Sequence, residues 1–358
     1  MQAVVWDGEM KVRDDVELRP PRPHEVRVRL CAAGLCHSDL SVLDGTIPLP
    51  TPAVLGHEGA GVVVEVGDAA RKLQPGDHVV LTTLASCGQC PACARGVPTQ
   101  CRDTFGRMRR AFSAGGEAAF QFANAGVFAE ETVVAESQAV PIDRRVPFEA
   151  ACLIGCAVLT GAGAVWNRAR VQPGQSVLVI GAGGIGLAVV QAARLAAAGT
   201  IAVLDNNPAK REIALALGAT EFLCPPEGAA AAEALQELGL TGGVDHSFEC
   251  VGHPALVRQA IDALDWGGTC TLVGVPKLGS EASFVISSLY NDKSVLGCRY
   301  GTARPHHDIP LVAGLYLDGR FKLDEMVSRT YGLAGIGEAV DDLRAGRLNR
   351  GVLRIAGS

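Results

Sequence analysis

Val177-Leu178-Val179-Ile180-Gly181-Ala182-Gly183-Gly184-Ile185-Gly186 decides the fold of the middle part of this chain. Four apolar residues with strand character run into Gly-x-Gly-x-x-Gly, and an Ala-rich stretch with helical composition follows. The glycines permit a tight turn and close approach of backbone N–H groups to a pyrophosphate, whose charge the N-terminus of the next helix favours. Apolar runs at Ser176–Ile180, Thr200–Leu204, 243–249 and 269–273 alternate with Ala-rich segments, which predicts a parallel sheet covered by helices. Asp205 ends the second of these strands, about twenty residues beyond the glycines, where a carboxylate binds both ribose hydroxyls and repels a 2′-phosphate. That favours NAD over NADP. Lys210 and Arg211 lie close by and weaken the preference unless they form a solvated helix face.

Outward from this unit the texture changes. Residues 25–31 alternate, 61–66 are β-branched and 78–83 follow the Pro75-Gly76-Asp77 turn, so the chain up to about residue 155 reads as an all-β lobe. After about residue 298 the pattern is mixed, with helices expected at 309–317 and 335–345. The two flanks are expected to form one domain around the inserted α/β unit, with divisions at 1–157, 158–298 and 299–358. A chain of 358 residues with 48% hydrophobic content has the material for two cores. The only low-complexity patch, 229–232, reads as helix.

Net charge is −6 and no long basic block is present, so neither a nucleic-acid partner nor an anionic membrane surface is expected. The first 15 residues alternate apolar and charged positions, unlike a signal peptide. Residues 176–204 are the one stretch apolar enough to raise a transmembrane reading, but Gly181, Gly183, Gly184 and Gly186 interrupt it and Arg194 sits inside the remainder. Twelve cysteines without a secretory signal fit a reducing compartment, and the cytoplasm is the expected location.

Cys87, Cys90, Cys93 and Cys101 stand in C-x2-C-x2-C-x7-C spacing within a loop rich in Gly and Pro. Four thiolates on a tight loop can wrap one Zn²⁺ and leave no open position; an iron–sulfur cluster is the rival for the same ligands. Cys36-His37-Ser38-Asp39 follows the 25–31 strand, Gly56-His57-Glu58-Gly59 comes about twenty residues later, and Cys156 lies far downstream. A Cys2His set supplies three ligands and leaves a fourth position for water or substrate, which is how catalytic zinc is held.

Taken together and in this order, Cys36-His37-Ser38-Asp39, Gly56-His57-Glu58, the four lobe cysteines, Cys156 and Gly181–Gly186 resemble the zinc-containing medium-chain alcohol dehydrogenases over almost the whole chain. The resemblance implies a GroES-like β-rich catalytic domain with an inserted Rossmann doubly wound parallel-sheet domain, NAD, and two Zn²⁺ per chain. It makes Cys36, His57 and Cys156 the catalytic zinc ligands and Cys87, Cys90, Cys93 and Cys101 the structural ones. Asp39 would orient the His57 imidazole, and Glu58 would either approach the metal during ligand exchange or serve as a plain supporting acid. His37 and Arg350 would approach the pyrophosphate and Thr160 the nicotinamide. Gly181, Gly183, Gly184, Ile185, Gly186, Asp205, Lys210, Val251, Gly274 and Val275 would complete the coenzyme contacts. Ser38 would take the proton of an alcohol whose oxygen zinc acidifies, and hydride would pass to the nicotinamide.

The sequence departs from the family pattern at several points. Where many relatives carry a histidine that hands the proton to solvent, Ser41 stands here, which predicts a shallow pH dependence of the rate. Glutathione-dependent members carry an acid in the loop that here reads Gly45-Thr46-Ile47-Pro48-Leu49-Pro50, and an arginine where Phe105 stands, so a glutathione adduct is disfavoured. Cys101–Phe105, 153–156 and 315–320 are similar to mycothiol-dependent formaldehyde dehydrogenases, which keeps a thiol adduct as the alternative substrate. Arg107, Arg109 and Arg110 are either a solvated loop or the greeting surface of an anionic or sugar-bearing substrate. Leu49, Leu84, Phe105, Phe128 and Ile286 are expected near an apolar pocket for aliphatic, terpenoid or aromatic primary alcohols and their aldehydes. His306-His307 is expected to be a surface doublet, and the six remaining cysteines packing residues. A homodimer paired through the coenzyme domains is expected, and a non-catalytic NAD-binding sensor is the alternative outside enzymology.

Overall fold

The computed structural model describes residues 1–104, 108–226 and 230–355. Phe105 and Arg107, and Ala229 of the 229–232 patch, lie outside the described residues. Two compact units divide the chain: Met1–Cys156 with Arg304–Ser358, and Ala157–Ala303. The divisions thus fall one residue before and five residues beyond the expected ones at 157 and 298.

The discontinuous unit is β-rich. Its seven-stranded sheet runs in the order Ala139–Pro141, His78–Leu81, Glu58–Val66, Glu25–Leu35, Arg350–Arg354, Val327–Gly332, with Glu131–Ala135 also paired to Glu25–Leu35. The strand expected at 25–31 extends to Leu35 because every residue from Leu30 to Leu35 is buried, so the in-out alternation that reveals a strand stops there. Gly351 pairs with Leu35, so the last strand of the chain closes on the strand that leads to Cys36. A six-stranded sheet built from Met10–Arg13, Ala3–Trp6, Ala53–Val54, Glu117–Gln121, Phe112–Ala114 and Val16–Leu18 completes this unit. The helix expected at 309–317 is Pro305–Leu317, which takes Pro305 at its first position and puts the exposed His306 and His307 in its first turn.

The second unit is a six-stranded parallel sheet ordered Glu221–Leu223, Thr200–Leu204, Ser176–Ile180, Val244–Glu249, Leu264–Leu272, Ser294–Gly297. Counted within the unit this is 3-2-1-4-5-6, the doubly wound Rossmann arrangement, with its switch point beside Ser176–Ile180. The outermost strands escape the sequence pattern: Glu221–Leu223 has three residues, and Ser294–Gly297 is largely exposed. Leu264–Leu272 begins five residues before the expected strand, behind the strand-poor Asp265-Trp266-Gly267-Gly268.

The 176–204 stretch is strand, helix and strand: Ser176–Ile180, Gly184–Leu195 and Thr200–Leu204. A different segment, the helical run Phe148–Ala169, is long and apolar enough to cross a membrane by composition, and 83% of its most apolar window is buried inside the protein. That run contains two π-helical segments, Ile154–Val158 and Ala164–Ala169. Cys156 sits in the first.

Candidate metal and coenzyme sites

Four separate pieces of the first unit converge on one cluster. Cys36 is the N-cap of the helix His37–Leu43, with extended backbone angles, at the point where the long strand ends. Asp39, in the first turn, accepts the Cys36 N–H through Oδ2 at 3.0 Å and faces the His57 Nδ1 through Oδ1 at 3.3 Å. One carboxylate therefore fixes both the Cys36 backbone and the His57 ring, and a proton on Nδ1 leaves the Nε2 lone pair of the neutral ring available. Gly56 precedes His57 with φ +84° and lies against Phe128, while the His57 ring meets Phe122 edge-on at 5.2 Å.

Glu58 is fully buried and ion-paired with Arg350, which comes from the other end of the chain. Gly34 makes room for this pair, since a Cβ there would run into the Glu58 carboxylate and come within 3.2 Å of the Arg350 guanidinium. Gly155 does the same for the π turn that carries Cys156, which closes directly on the Leu81 carbonyl. Sequence reasoning did not single out Gly34 or Phe122; a glycine inside an apolar strand was the available signal for the former.

Cys36, His57, Glu58 and Cys156 each offer a ligand atom, all within 4.8 Å of one another. The Cys156 sulfur beside Cys36 holds the Cys36 thiol well below its ordinary pKa, and the same contact with burial drives Cys156 well above it. Burial pushes Glu58 up to about 7 against the opposing charge of Arg350. Burial also opposes a charged His57, but Asp39 and Cys36 raise it well above the usual imidazole value. This is a site in which sulfurs and ring share protons, and a divalent cation would replace those protons. Two sulfurs and one imidazole suit zinc, with Glu58 as a nearby carboxylate. Ser38 Oγ lies 3.9 Å from the Cys36 sulfur. Ser41 donates its hydroxyl to the His37 carbonyl at 3.0 Å, so that proton is committed within the helix.

Cys87, Cys90, Cys93 and Cys101 form the second cluster, again within 4.8 Å of one another. The Cys90–Cys93 and Cys87–Cys101 sulfurs are 3.6 and 3.7 Å apart. A zinc tetrahedron with bonds of about 2.3 Å has edges of about 3.8 Å, so the spacing fits the ion and excludes disulfides. Backbone N–H groups of Cys90 and Cys87 point at the Cys87 and Cys101 sulfurs at 3.3 and 3.5 Å, as thiolates require. The short helix Pro91–Ala94, capped by Cys90, turns Cys93 back toward its partners.

In the second unit Gly181 has φ +96°, and a Cβ on it would meet Val251 Cγ2 at 2.6 Å. Gly183 caps the helix Gly184–Leu195 and has open space where its Cβ would be, while Gly186 lies against the Gly181 carbonyl. Gly184 is buried and Ile185 half-buried on the first turn. Asp205 Oδ2 accepts the Ala182 N–H at 2.7 Å and Oδ1 the Asn207 N–H at 2.8 Å, which holds the carboxylate at the glycine turn. Burial lowers the Lys210 pKa and the Asp205 charge opposes this, so the ammonium belongs to the Asp205 surroundings. Glu249 accepts the Val251 and Gly252 N–H groups at 3.0 and 2.8 Å. Gly274 packs on that loop, leaving Val251 and Val275 exposed. Thr160 is buried in the helix Leu159–Gly163.

The remaining expected residues are scattered. His37 is exposed on the first unit, and Arg350 faces Glu58. Leu84 and Phe128 are buried and Leu49 half-buried in the first unit, whereas Ile286 is 83% exposed in the second. Arg109 is tied to Glu25 at 2.9 Å. His306 reaches the Ser137 carbonyl and His307 the Asp308 carboxylate.

Residues 22–144 match the family model described as alcohol dehydrogenase GroES-like domain, and residues 184–316 that described as zinc-binding dehydrogenase. An S-(hydroxymethyl)glutathione dehydrogenase of Synechocystis sp. is 38% identical over 352 residues, covering 95% of each chain. The crystal structure of an alcohol dehydrogenase zinc-binding domain protein from Burkholderia ambifaria superposes with a TM-score of 0.93 at 38% identity, over 99% of both chains. Benzyl alcohol dehydrogenase from Acinetobacter calcoaceticus gives 0.92 at 34% identity, again over 99% of both.

Proposed function

We propose, since the chain belongs to the zinc-containing medium-chain alcohol dehydrogenase family, that it passes a hydride between primary aliphatic, terpenoid or aromatic alcohols, or their aldehydes, and NAD. The observation that carries this reading is the buried convergence of Cys36, His57 and Cys156 from three distant segments. Zinc held there supplies Lewis acidity to an alcohol oxygen. Cys36 and Cys156 bind as thiolates, and His57 binds through the nitrogen that Asp39 leaves free. Ser38 takes the alcohol proton. Because Ser41 has its hydroxyl directed to the His37 carbonyl, the proton continues through water or His37. Asp205 receives the adenosine ribose hydroxyls and disfavours a 2′-phosphate, so kcat/KM is higher with NAD than with NADP, and Asp205→Ser narrows the difference.

The test follows NADH absorbance across ethanol to hexanol, benzyl alcohol and geraniol, with and without a zinc chelator. Chelator-sensitive turnover of the apolar alcohols supports the reading. Failure on all of them, by protein holding two zincs per chain, overturns it in favour of a second reading. That second reading is formaldehyde oxidation as a carrier-thiol adduct, favoured by the names of relatives such as the Synechocystis enzyme. Its signature is turnover of formaldehyde only when mycothiol or another carrier thiol is added.

A homodimer through the coenzyme unit belongs to the same proposal. Ser294–Gly297 is a sheet edge, and Trp266, Leu278, Ile286 and Tyr290 are exposed in the same unit, an apolar excess that a second copy can cover. Sedimentation at micromolar concentration should give twice the chain mass; a single-chain mass removes the dimer.

A further inference from the structure

A cleft of about 930 Å³ opens in the first unit, lined among others by Arg19, Arg22, Arg109 and Arg110. All of its lining residues belong to that unit, whereas the glycine turn lies in the other. At its floor the buried Glu25 carboxylate takes both terminal nitrogens of Arg19 at 2.6 and 3.0 Å, the Arg22 N–H at 2.9 Å and Arg109 at 2.9 Å. One carboxylate thus serves two guanidinium groups. Arg19 Nε is buried with no acceptor among the described residues.

The guanidinium groups of Arg22 and Arg110 have no carboxylate partner among the described residues, and both residues are exposed. Arg110 is nevertheless held in place, lying over the Phe120 ring at 4.0 Å. The cleft holds two further carboxylates, Glu136, which accepts the Arg71 and Lys72 N–H groups at 2.7 and 2.5 Å, and Asp103 beside Cys87, so the four guanidinium groups still outnumber the acids by one. Burial lowers the Arg109 pKa, Glu25 works against that, and the charges of Arg19 and Arg22 lower it further. Like charges crowded around one acid repel each other, and an anion entering the cleft relieves that repulsion.

We propose that this cleft binds a small organic phosphate, held by Arg22 and Arg110 with Arg19 and Arg109 behind them. The volume accommodates a molecule of mononucleotide size. Phosphate recognition by paired guanidinium forks is the chemistry that fits the excess charge.

The test is calorimetric titration of the zinc-loaded, NADH-saturated enzyme with uridine 5′-monophosphate and, separately, inorganic phosphate. The nucleotide should bind saturably, more weakly at high salt, and at least about tenfold more weakly to Arg22→Ala/Arg110→Ala, since two charge-assisted contacts are lost. Arg22→Ala alone should give an intermediate loss, and alcohol turnover without the phosphate should be unchanged in both variants. No saturable binding of the nucleotide up to about 10 mM overturns the proposal. So does equal affinity for the double variant, and so does binding of inorganic phosphate without the nucleotide.

Discussion

The two clusters of the first unit that could hold a metal are built in opposite ways. The lobe sulfurs come from residues 87–101, three of the four half-exposed, on a loop whose turns bring them together without help from the core. The other set draws on residues 36, 57, 58 and 156 and is almost entirely buried. Its members are held by Asp39, by the Glu58–Arg350 pair and by glycines at 34 and 155 that remove side-chain bulk. A local set can be closed and saturated by its own ligands, whereas a distant set takes its geometry from the fold. The first should therefore govern stability and the second chemistry.

Removing one ligand from each set separates these roles most sharply. Cys156→Ser should cost one zinc per chain and lower turnover by about 10³-fold or more, a loss of roughly 4 kcal/mol of transition-state stabilisation. Metal analysis with NADH-linked rates reads both, and retention of full rate with one zinc would make the lobe the chemical site. Cys90→Ser should also cost one zinc, but lower the thermal midpoint by about 10 °C, on a loss of about 3–5 kcal/mol. Turnover per folded molecule should stay within about threefold of the parent. A variant that melts like the parent would remove the structural role.

Asp39→Asn probes the support rather than the ligands. Its carboxylate fixes the Cys36 N–H and the His57 ring together, so the variant should lose about 10–100-fold in zinc affinity or activity. Titration with a competing chelator measures the first and steady-state rates the second. If both are unchanged, the His57 orientation comes from packing against Phe122 alone.

The same contrast explains what the sequence discloses. The lobe spacing and the Gly181–Gly186 turn are visible because each is a local device whose geometry follows from a few adjacent residues. The Glu58–Arg350 pair joins residues 292 apart, and nothing in either neighbourhood points to the other. Arg109 stands in a loop that reads first as a solvated surface and second as a substrate-facing one, yet it reaches Glu25 across 84 residues. The strand to Leu35 hides because burial on both faces erases alternation, and the apolar helical run 148–169 resembles a membrane span because burial in protein and in lipid select the same residues. Patterns of period two or 3.6 report which face is wet, so they fall silent where no face is.

The second unit offers the smallest effect, one away from both candidate metal clusters. His246 is 6% exposed, its Nε2 is 2.9 Å from Gln175 Oε1, and its Nδ1 is buried without a partner among the described residues. Burial lowers its pKa from 6.5, with Asp245 in partial opposition. The folded protein therefore binds this proton less readily than the unfolded chain does. Stability from this group is complete above about pH 6.5 and is lost progressively as pH falls below it, until the folded imidazole also takes the proton. His246→Gln keeps a polar partner for Gln175 and removes the titration, so its thermal midpoint should fall less than the parent's between about pH 7 and pH 5. Identical pH slopes for the two proteins would mean that the imidazole is solvated on opening motions of the sheet. The contrast between the second unit and the first would then rest on the two candidate metal clusters alone.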